Sequence, residues 1–191
     1  MLIYKNHAEC IQDRKGNFMY VDVGGGSTEI ILLVNGILVF SGAYNIGTIR
    51  LLHGTDNAGE WEKLKSDMRK FAERYASIDI IGSGGNINKL YKLVNDRDNK
   101  FKRIKVKALS EIHARMYQMT LEDRIEMFKL RYDRADVIVP AAAIFLTIAK
   151  SVRSNYIYVP TIGLVDGIID DLFISKMDEL QKNCSALTPA L

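Results

Sequence analysis

The sequence predicts a single α/β domain over residues 1–191, on three observations. Short apolar runs stop at glycines twice, at Gly24-Gly25-Gly26 and from Gly82 to Gly85, as strands do before a sharp turn. Asn35-Gly36 stands between two apolar runs, which is the strongest short signal for a β-hairpin. Apolar residues at spacings of three and four recur between these segments and predict amphipathic helices.

The first half of the chain is predicted to open with three antiparallel strands, followed by alternating helix and strand. The predicted strands are residues 18–23, 30–34, 37–40 and 78–81. The predicted helices are a short one at residues 48–53 and longer amphipathic ones at residues 60–75 and 87–94. Trp61, Met68 and Phe71 lie on the core side of the second helix, and His53 caps the end of the first.

In the second half, helices dominate the prediction. Ile104 and Val106 alternate with basic residues as on a half-buried strand. Ser110 and Thr120 stand where helix N-caps belong, and Thr120 has Asp123 three residues on, as in a capping box. The remaining predicted elements are a long buried helix at residues 133–151, a strand at 156–159 and a helix at 163–174.

Composition restricts the class of protein. The net charge is +3, from 26 basic and 23 acidic residues, which does not favour a nucleic-acid or membrane partner. Cys10 and Cys184 form no C-x-x-C pair, and the three histidines lack metal-ligand spacing. The apolar stretch 137–149 is shorter than the roughly 20 residues that a bilayer requires. We therefore expect a cytoplasmic protein.

The first glycine loop, residues 24–27, combines features of a phosphate site. Asp22 ends a strand, Gly24, Gly25 and Gly26 let backbone N–H groups approach an oxyanion, and Ser27 adds a hydroxyl. Two carboxylates, Asp22 and Glu29, could hold a divalent cation or activate a water. The alternative is a glycine-rich turn whose flanking carboxylates only face solvent.

The second glycine loop, residues 82–85, repeats the arrangement of strand, glycines and helix start. Gly82, Ser83, Gly84 and Gly85 would form another anion seat, because the N-terminal amides and dipole of a helix favour negative charge. Two such seats suggest an oligophosphate or a nucleotide. The alternative is close packing of strand against helix. Neither loop matches the Walker pattern, since no Gly-Lys-Ser/Thr follows.

Three segments together resemble the exopolyphosphatase and guanosine pentaphosphate phosphatase family: residues 21–29 (VDVGGGSTE), 82–86 (GSGGN) and 134–140 (RADVIVP). The resemblance implies a ribonuclease H-like domain of the acetate kinase, actin and heat-shock ATPase superfold, with a mixed five-stranded sheet and helices on both faces. It also implies hydrolysis of terminal phosphate from polyphosphate or guanosine pentaphosphate in a cleft between two such domains. This chain corresponds to the second domain, with the first domain absent.

The same resemblance implies roles for the loop residues. Asp22 would hold Mg²⁺ and act with Glu29 as the catalytic pair, while Gly24 to Ser27 would cradle the reacting phosphate and Gly82 to Gly85 would line the cleft further out. The missing first domain or a second copy of the chain would complete the site, so the isolated chain is expected to be inactive and to self-associate.

Other interpretations stay open at this level. A non-catalytic module that binds polyphosphate or a guanosine alarmone, and half of an actin-like ATPase or sugar kinase, use the same loops. The basic run from Arg97 to Lys107 is interpreted as a solvated face rather than a track for a polyanion. Arg134 and Asp136 could reach the active site, but an ion pair that fixes a helix entry is the favoured interpretation.

Overall fold

A seven-stranded mixed sheet is the frame of residues 16–160, the part of the chain that the computed structural model describes. Its strands are β1 (Asn17–Val23), β2 (Thr28–Val34), β3 (Ile37–Tyr44), β4 (Ile78–Ser83), β5 (Arg97–Asp98), β6 (Arg103–Lys105) and β7 (Tyr156–Tyr158). Their order across the sheet is β3-β2-β1-β4-β7-β6-β5. The first three strands form the predicted antiparallel meander, whereas β1, β4 and β7 run parallel.

Seven helices accompany the sheet in the described part of the chain. They are α1 (Thr48–Leu52), α2 (Ala58–Arg74), α3 (Gly85–Leu93), α4 (Val106–Tyr117), α5 (Leu121–Phe128), α6 (Tyr132–Ala135) and α7 (Ile138–Ser151). The most buried is α7, whose Ile144, Phe145 and Ile148 are fully inaccessible. It packs against α2, α3 and α4 and against the sheet, so it is the centre of the main core. No helix among residues 16–160 is long and apolar enough to cross a membrane.

The hairpin between β2 and β3 confirms the turn prediction. Asn35 and Gly36 both have positive φ angles, 51° and 80°, as the mirror-image turns that match strand twist require. The outer strand β3 carries an irregularity opposite Leu32 and Leu33, and its first three residues are exposed apolar side chains. The twist from such a bulge is one way in which proteins discourage edge-to-edge pairing.

Local signals predicted the capping roles of Thr120 and His53 correctly. The Thr120 hydroxyl accepts from the Asp123 N–H at 3.1 Å, and the Asp123 carboxylate accepts from the Thr120 N–H at 3.3 Å, so the capping box at the start of α5 is confirmed. His53 is the C-cap of α1. Met68 is fully buried, with Trp61 and Phe71 packed against the same core.

The prediction was wrong at three places. The sheet has seven strands rather than the five that the resemblance implied: β6 confirms the strand predicted around Ile104, although Val106 already belongs to α4, and β5 was not predicted. Helix α4 begins at Val106, whose N–H donates to Asn155 O at 2.9 Å, so Ser110 lies inside the helix and is no N-cap. The long helix is divided into α6 and α7. The helix predicted at residues 163–174 lies outside the described residues.

The sheet buries residues on both faces. Met19, Val21, Ile30 and Ile80 belong to the main core, whereas Phe18 and Ile81 form a second, smaller cluster. Tyr20 and Tyr158 pack against this second cluster. Since successive side chains of a strand point to opposite faces, Tyr20 and Asp22 share the face of the second cluster, and the candidate site lies at its end.

We expect Gly82→Ala to lower the free energy of unfolding by about 1–3 kcal/mol, the usual cost of overpacking. A Cβ at Gly82 would lie 2.8 Å from Ile87 Cγ1 and 3.3 Å from Ile157 Cγ2, in a position where strand and helix leave no space. Urea unfolding followed by circular dichroism measures the change. Gly26→Ala is the matched control, because no atom lies within 4 Å of a Cβ there; equal losses in the two variants would contradict the packing role.

Candidate functional site

Asp22 lies near the end of β1, the strand that is paired on both sides. Asp22 is opposite Glu29 of β2 and opposite Ser83 of β4. Directly opposite residues have side chains on the same face of a sheet, with Cβ atoms about 4.5–5.5 Å apart. The pairing therefore brings together Asp22, Glu29 and Ser83, three residues that the sequence predicted for the site.

Asp22 is half-buried, whereas Glu29 is exposed. Burial raises the pKa of Asp22 above its ordinary value, the negative charge of Glu29 raises it further, and a hydrogen bond from the Ser83 side chain opposes both effects. Two close carboxylates in a partly dehydrated position favour a cation or a proton between them. The Asp22 and Glu29 carboxylates at the strand ends therefore favour binding of a cation or a proton.

The first glycine loop is held from one side by α1. The carbonyl oxygens of Gly24 and Gly25 accept from the backbone N–H groups of Thr48 at 3.0 Å and Ile49 at 2.9 Å. The carbonyl of Gly26 accepts from Arg50 Nε at 2.7 Å. Three successive carbonyls therefore point toward α1.

The N–H groups of the same peptides point the other way. The described peptides are all trans, and a trans peptide directs its C=O and N–H to opposite sides. The N–H groups of Gly25, Gly26 and Ser27 consequently face away from α1, and within residues 16–160 they have no acceptor. Gly25 and Gly26 are exposed and Ser27 is half-buried. A row of free N–H groups can bind an anion, and anion binding at this loop stays a prediction.

Close packing behind the loop allows no side chain at Gly47. A Cβ there would overlap the Gly25 carbonyl and lie 2.6 Å from the Gly26 carbonyl carbon. The neighbouring Thr28 is fully buried and donates from its hydroxyl to Ile46 O at 2.7 Å. Thr28 is thus a support of the loop, and its hydroxyl does not face the site.

The glycines of the second loop have three different environments. Gly82 is buried between Ile87 and Ile157, which is the close packing considered as the alternative. Gly84 has a φ of 92°, and a Cβ there would lie 2.9 Å from Asp22 Oδ1. Gly85 is exposed at the start of α3. The Asp22 carboxylate therefore fits beside Gly84 because this residue has no side chain. Phosphate binding by the second loop stays a prediction.

Two arginines that sequence reasoning did not assign lie at the loops. Arg50 contacts the first loop as described, and the Arg134 guanidinium is 3.2 Å from the position of a Cβ on Gly85. Arg134 also donates to Asn86 Oδ1 at 3.4 Å, and Asn86 donates to Val23 O at 3.2 Å. The resemblance segment 134–140 was the one available signal for Arg134; none pointed to Arg50.

The expected ion pair of Arg134 with Asp136 is absent among the described residues. Arg134 Nε is instead 3.9 Å from Asp133, and Asp136 Oδ1 is buried without a hydrogen-bond partner among residues 16–160. Residues two apart along a helical segment do not face each other, which accounts for the missing pair. Arg134 instead contacts Asp133 and Asn86, at the start of α3.

Two of the six basic residues between Arg97 and Lys107 form ion pairs, and the interpretation of this run as a solvated face stays a prediction. Arg103 pairs with Asp98 at 3.1 Å and stacks on Tyr156, with 4.1 Å between the guanidinium carbon and the ring centroid. Lys105 pairs with Asp96 at 2.8 Å.

The donor set at the strand ends suits magnesium better than a metal that requires a full protein cage. No group of three or more His, Cys, Asp or Glu that could hold a metal occurs among residues 16–160. Mg²⁺ is usually bound through one or two carboxylates together with substrate phosphates and water. Asp22 and Glu29, beside a seat for an anion, fit this pattern.

Comparison with known proteins identifies the family to which the chain belongs. The model of the Ppx/GppA phosphatase family matches residues 1–176. The chain belongs to the Ppx/GppA phosphatase family. A search of curated proteins found no match to this chain.

Solved Ppx/GppA structures share the fold. The Aquifex aeolicus Ppx/GppA phosphatase, type II variant, has a TM-score of 0.67 at 23% identity and is matched over 87% of this chain and 60% of its own. An exopolyphosphatase from Cytophaga hutchinsonii ATCC 33406 has a TM-score of 0.67 at 17% identity over 90% of this chain and 62% of its own. These matches confirm the actin-like α/β fold class, and the chain spans about 60% of the length of these relatives.

We predict that Asp22→Asn raises the free energy of unfolding at pH 7, by roughly 1 kcal/mol or less because water screens a half-buried group. The pKa of Asp22 is higher in the folded state than its ordinary value, so the folded state is penalised when the group is ionised. The penalty grows as pH rises from about 3.9, the unfolded value, through the folded pKa, and it vanishes at lower pH. Urea unfolding from pH 3 to 8 measures it.

The matched variant is Glu29→Gln, which removes the charge that raises the pKa of Asp22. NMR titration of the Asp22 carboxyl carbon should then show a lower pKa than in the unmodified chain. A stabilisation by Asp22→Asn that stays constant down to pH 3 would exclude the ionisation as its cause.

Proposed function

We propose that this chain is the phosphate-binding half of an exopolyphosphatase-type hydrolase, which releases terminal phosphate from polyphosphate or guanosine pentaphosphate. The observation that carries the proposal is the row of free N–H groups of Gly25, Gly26 and Ser27 beside the Asp22 and Glu29 carboxylates. Donors on one side and carboxylates on the other are what the transfer of a phosphoryl group to water requires.

The terminal phosphate would bind at the first glycine loop. Its oxygens would accept from the N–H groups of Gly25, Gly26 and Ser27, and the Ser27 hydroxyl would add a fourth donor. These donors are oriented before the substrate arrives, since α1 holds their peptides. Preoriented donors stabilise charge that develops on the phosphoryl oxygens without a cost of reorganisation.

Glu29 would accept the proton of the attacking water. The water oxygen forms a bond to the terminal phosphorus, the bridging P–O bond breaks, and the shortened chain leaves with the bridging oxygen as an oxyanion. Glu29 is exposed on the face shared with Asp22, so a water between the carboxylates and the loop is accessible from solvent. Asp22 would orient this water or hold the metal.

Bound Mg²⁺ would supply positive charge that offsets the phosphate oxygens. Asp22 is the residue that would hold it, because burial beside Glu29 raises the free energy of its ionised form in the absence of a cation. Ser83 orients the Asp22 carboxylate through its hydrogen bond, and Gly84 leaves it the necessary space.

We propose further that the site needs a partner. The solved relatives contain about 40% of chain that this sequence does not match, and a cleft enzyme of the actin type is closed by two domains. The first domain, or a second copy of this chain, would supply the opposite wall. Arg134, exposed beside Gly85, is placed to meet phosphates that extend from the loop toward that wall.

The test is release of inorganic phosphate from long-chain polyphosphate with Mg²⁺, for the chain alone and for the chain mixed with a separately expressed first domain of a family member. We expect release in the mixture. Glu29→Gln should lower the rate by roughly 10²–10⁴-fold, the usual contribution of a general base. Glu73→Gln, which changes an exposed carboxylate of α2, is the control and should leave the rate unchanged.

Two other outcomes would replace the proposal. Tight binding of polyphosphate without release in either sample would favour the non-catalytic module. Binding that selects adenine nucleotide over polyphosphate would favour half of an ATPase or sugar kinase.

A further inference from the structure

Arg50 differs from the other groups that hold the first glycine loop. The carbonyls of Gly24 and Gly25 are held by backbone N–H groups of α1, which every residue type at Thr48 and Ile49 other than proline would supply. Within residues 16–160, the carbonyl of Gly26 is held only by a side chain, through Arg50 Nε at 2.7 Å. One of the three peptides of the loop therefore depends on the identity of residue 50.

The peptide between Gly26 and Ser27 is also the one with the most freedom to turn. Gly26 has no side chain, it is exposed, and no atom lies within 4 Å of the position of a Cβ. A glycine in open space passes between backbone conformations with little steric resistance. Without a bond to its carbonyl, this peptide could rotate and turn the Ser27 N–H away from the other two.

Arg50 itself is held in place. Its backbone N–H lies 3.4 Å from Gly25 O, and its carbonyl accepts from the Thr55 N–H at 2.9 Å. The side chain is half-buried and has no ion pair among residues 16–160. A fixed guanidinium whose shortest hydrogen bond goes to a loop carbonyl has the geometry of a support rather than of a mobile surface charge.

We propose that Arg50 is a positioning residue: its Nε–H bond to Gly26 O aims the Ser27 N–H at the bound phosphate. The inference rests on the proposed phosphate site at this loop. Arg50 acts through the peptide between Gly26 and Ser27. Its effect on phosphate binding therefore depends on the position of its donor atom and not on its positive charge.

Two substitutions separate donor position from charge. In Arg50→Gln the amide nitrogen is the same number of bonds from Cα as Arg Nε, so the donor is kept and the charge is lost. In Arg50→Lys the charge is kept, but a methylene stands where Nε was and the donor moves one atom further. Arg69→Gln, on the exposed surface of α2, is the control for the loss of one positive charge.

The experiment is a titration of the full chain with tripolyphosphate in magnesium buffer, followed by ¹⁵N–¹H NMR and by calorimetry. For the unmodified chain we expect the amide signals of Gly25, Gly26 and Ser27 to shift on binding. Arg50→Gln should keep the Ser27 shift and weaken affinity less than about threefold, while Arg50→Lys should lose that shift and weaken affinity about tenfold, as for a charge-assisted hydrogen bond.

The outcomes distinguish this inference from the proposed function. Absence of binding and of any shift at the loop in the unmodified chain overturns the phosphate site itself, and the role of Arg50 with it. Binding by the unmodified chain with the opposite order, Lys retained and Gln weakened, overturns the positioning role and assigns Arg50 to charge attraction. Equal behaviour of both variants and the unmodified chain also overturns it. The NMR spectrum of each free variant verifies that the fold is intact.

Discussion

The central constraint on this domain is that β1 is paired on both sides, with β2 over residues 17–23 and with β4 over residues 17–22. Its antiparallel neighbour β2 and its parallel neighbour β4 fix the register at the end of the strand, so Asp22 is set between Glu29 and Ser83. A shift of one residue in either pairing would turn the Asp22 side chain to the apolar core. Met19, Val21 and Val23, all buried in that core, oppose such a shift, and the core thereby keeps the carboxylates at the surface.

The two glycine loops follow from this arrangement but differ in their roles. The first loop joins two antiparallel strands, and it presents N–H groups because α1 binds its carbonyls. The second loop joins a parallel strand to a helix, and its glycines serve steric purposes at Gly82 and Gly84. The same residue type therefore supplies exposed donors in one loop and space for neighbouring atoms in the other.

Much of the fold could be predicted from the sequence where the information is local. The Asn35-Gly36 turn, the Thr120 capping box and the amphipathic face of α2 each depend on residues within one or two turns of chain. The start of α4 could not, because the bond from Val106 to Asn155 joins residues 49 positions apart. Pro140, in the first turn of α7, was a usable signal for the helix break, since proline is favoured there.

The candidate site shows the same division. Asp22, Glu29 and the glycines of the first loop were identified because their types and spacing are informative within a single turn. Arg50 was missed and Arg134 was assigned to an ion pair instead, since each reaches its loop only through the packing of another helix. These contacts depend on how elements that are far apart in the sequence pack together. The spacing of residues along the chain does not indicate such contacts.

The arrangement of α1 behind the first loop has an electronic consequence. Each peptide of the loop accepts a hydrogen bond at its oxygen, and at its nitrogen it faces the exposed side. A hydrogen bond accepted by a carbonyl polarises the amide and makes the N–H of the same peptide a better donor, and chains of such bonds reinforce one another. An anion bound at the loop would therefore strengthen the hydrogen bonds between the loop carbonyls and the five-residue helix α1, and those bonds would in turn strengthen binding of the anion.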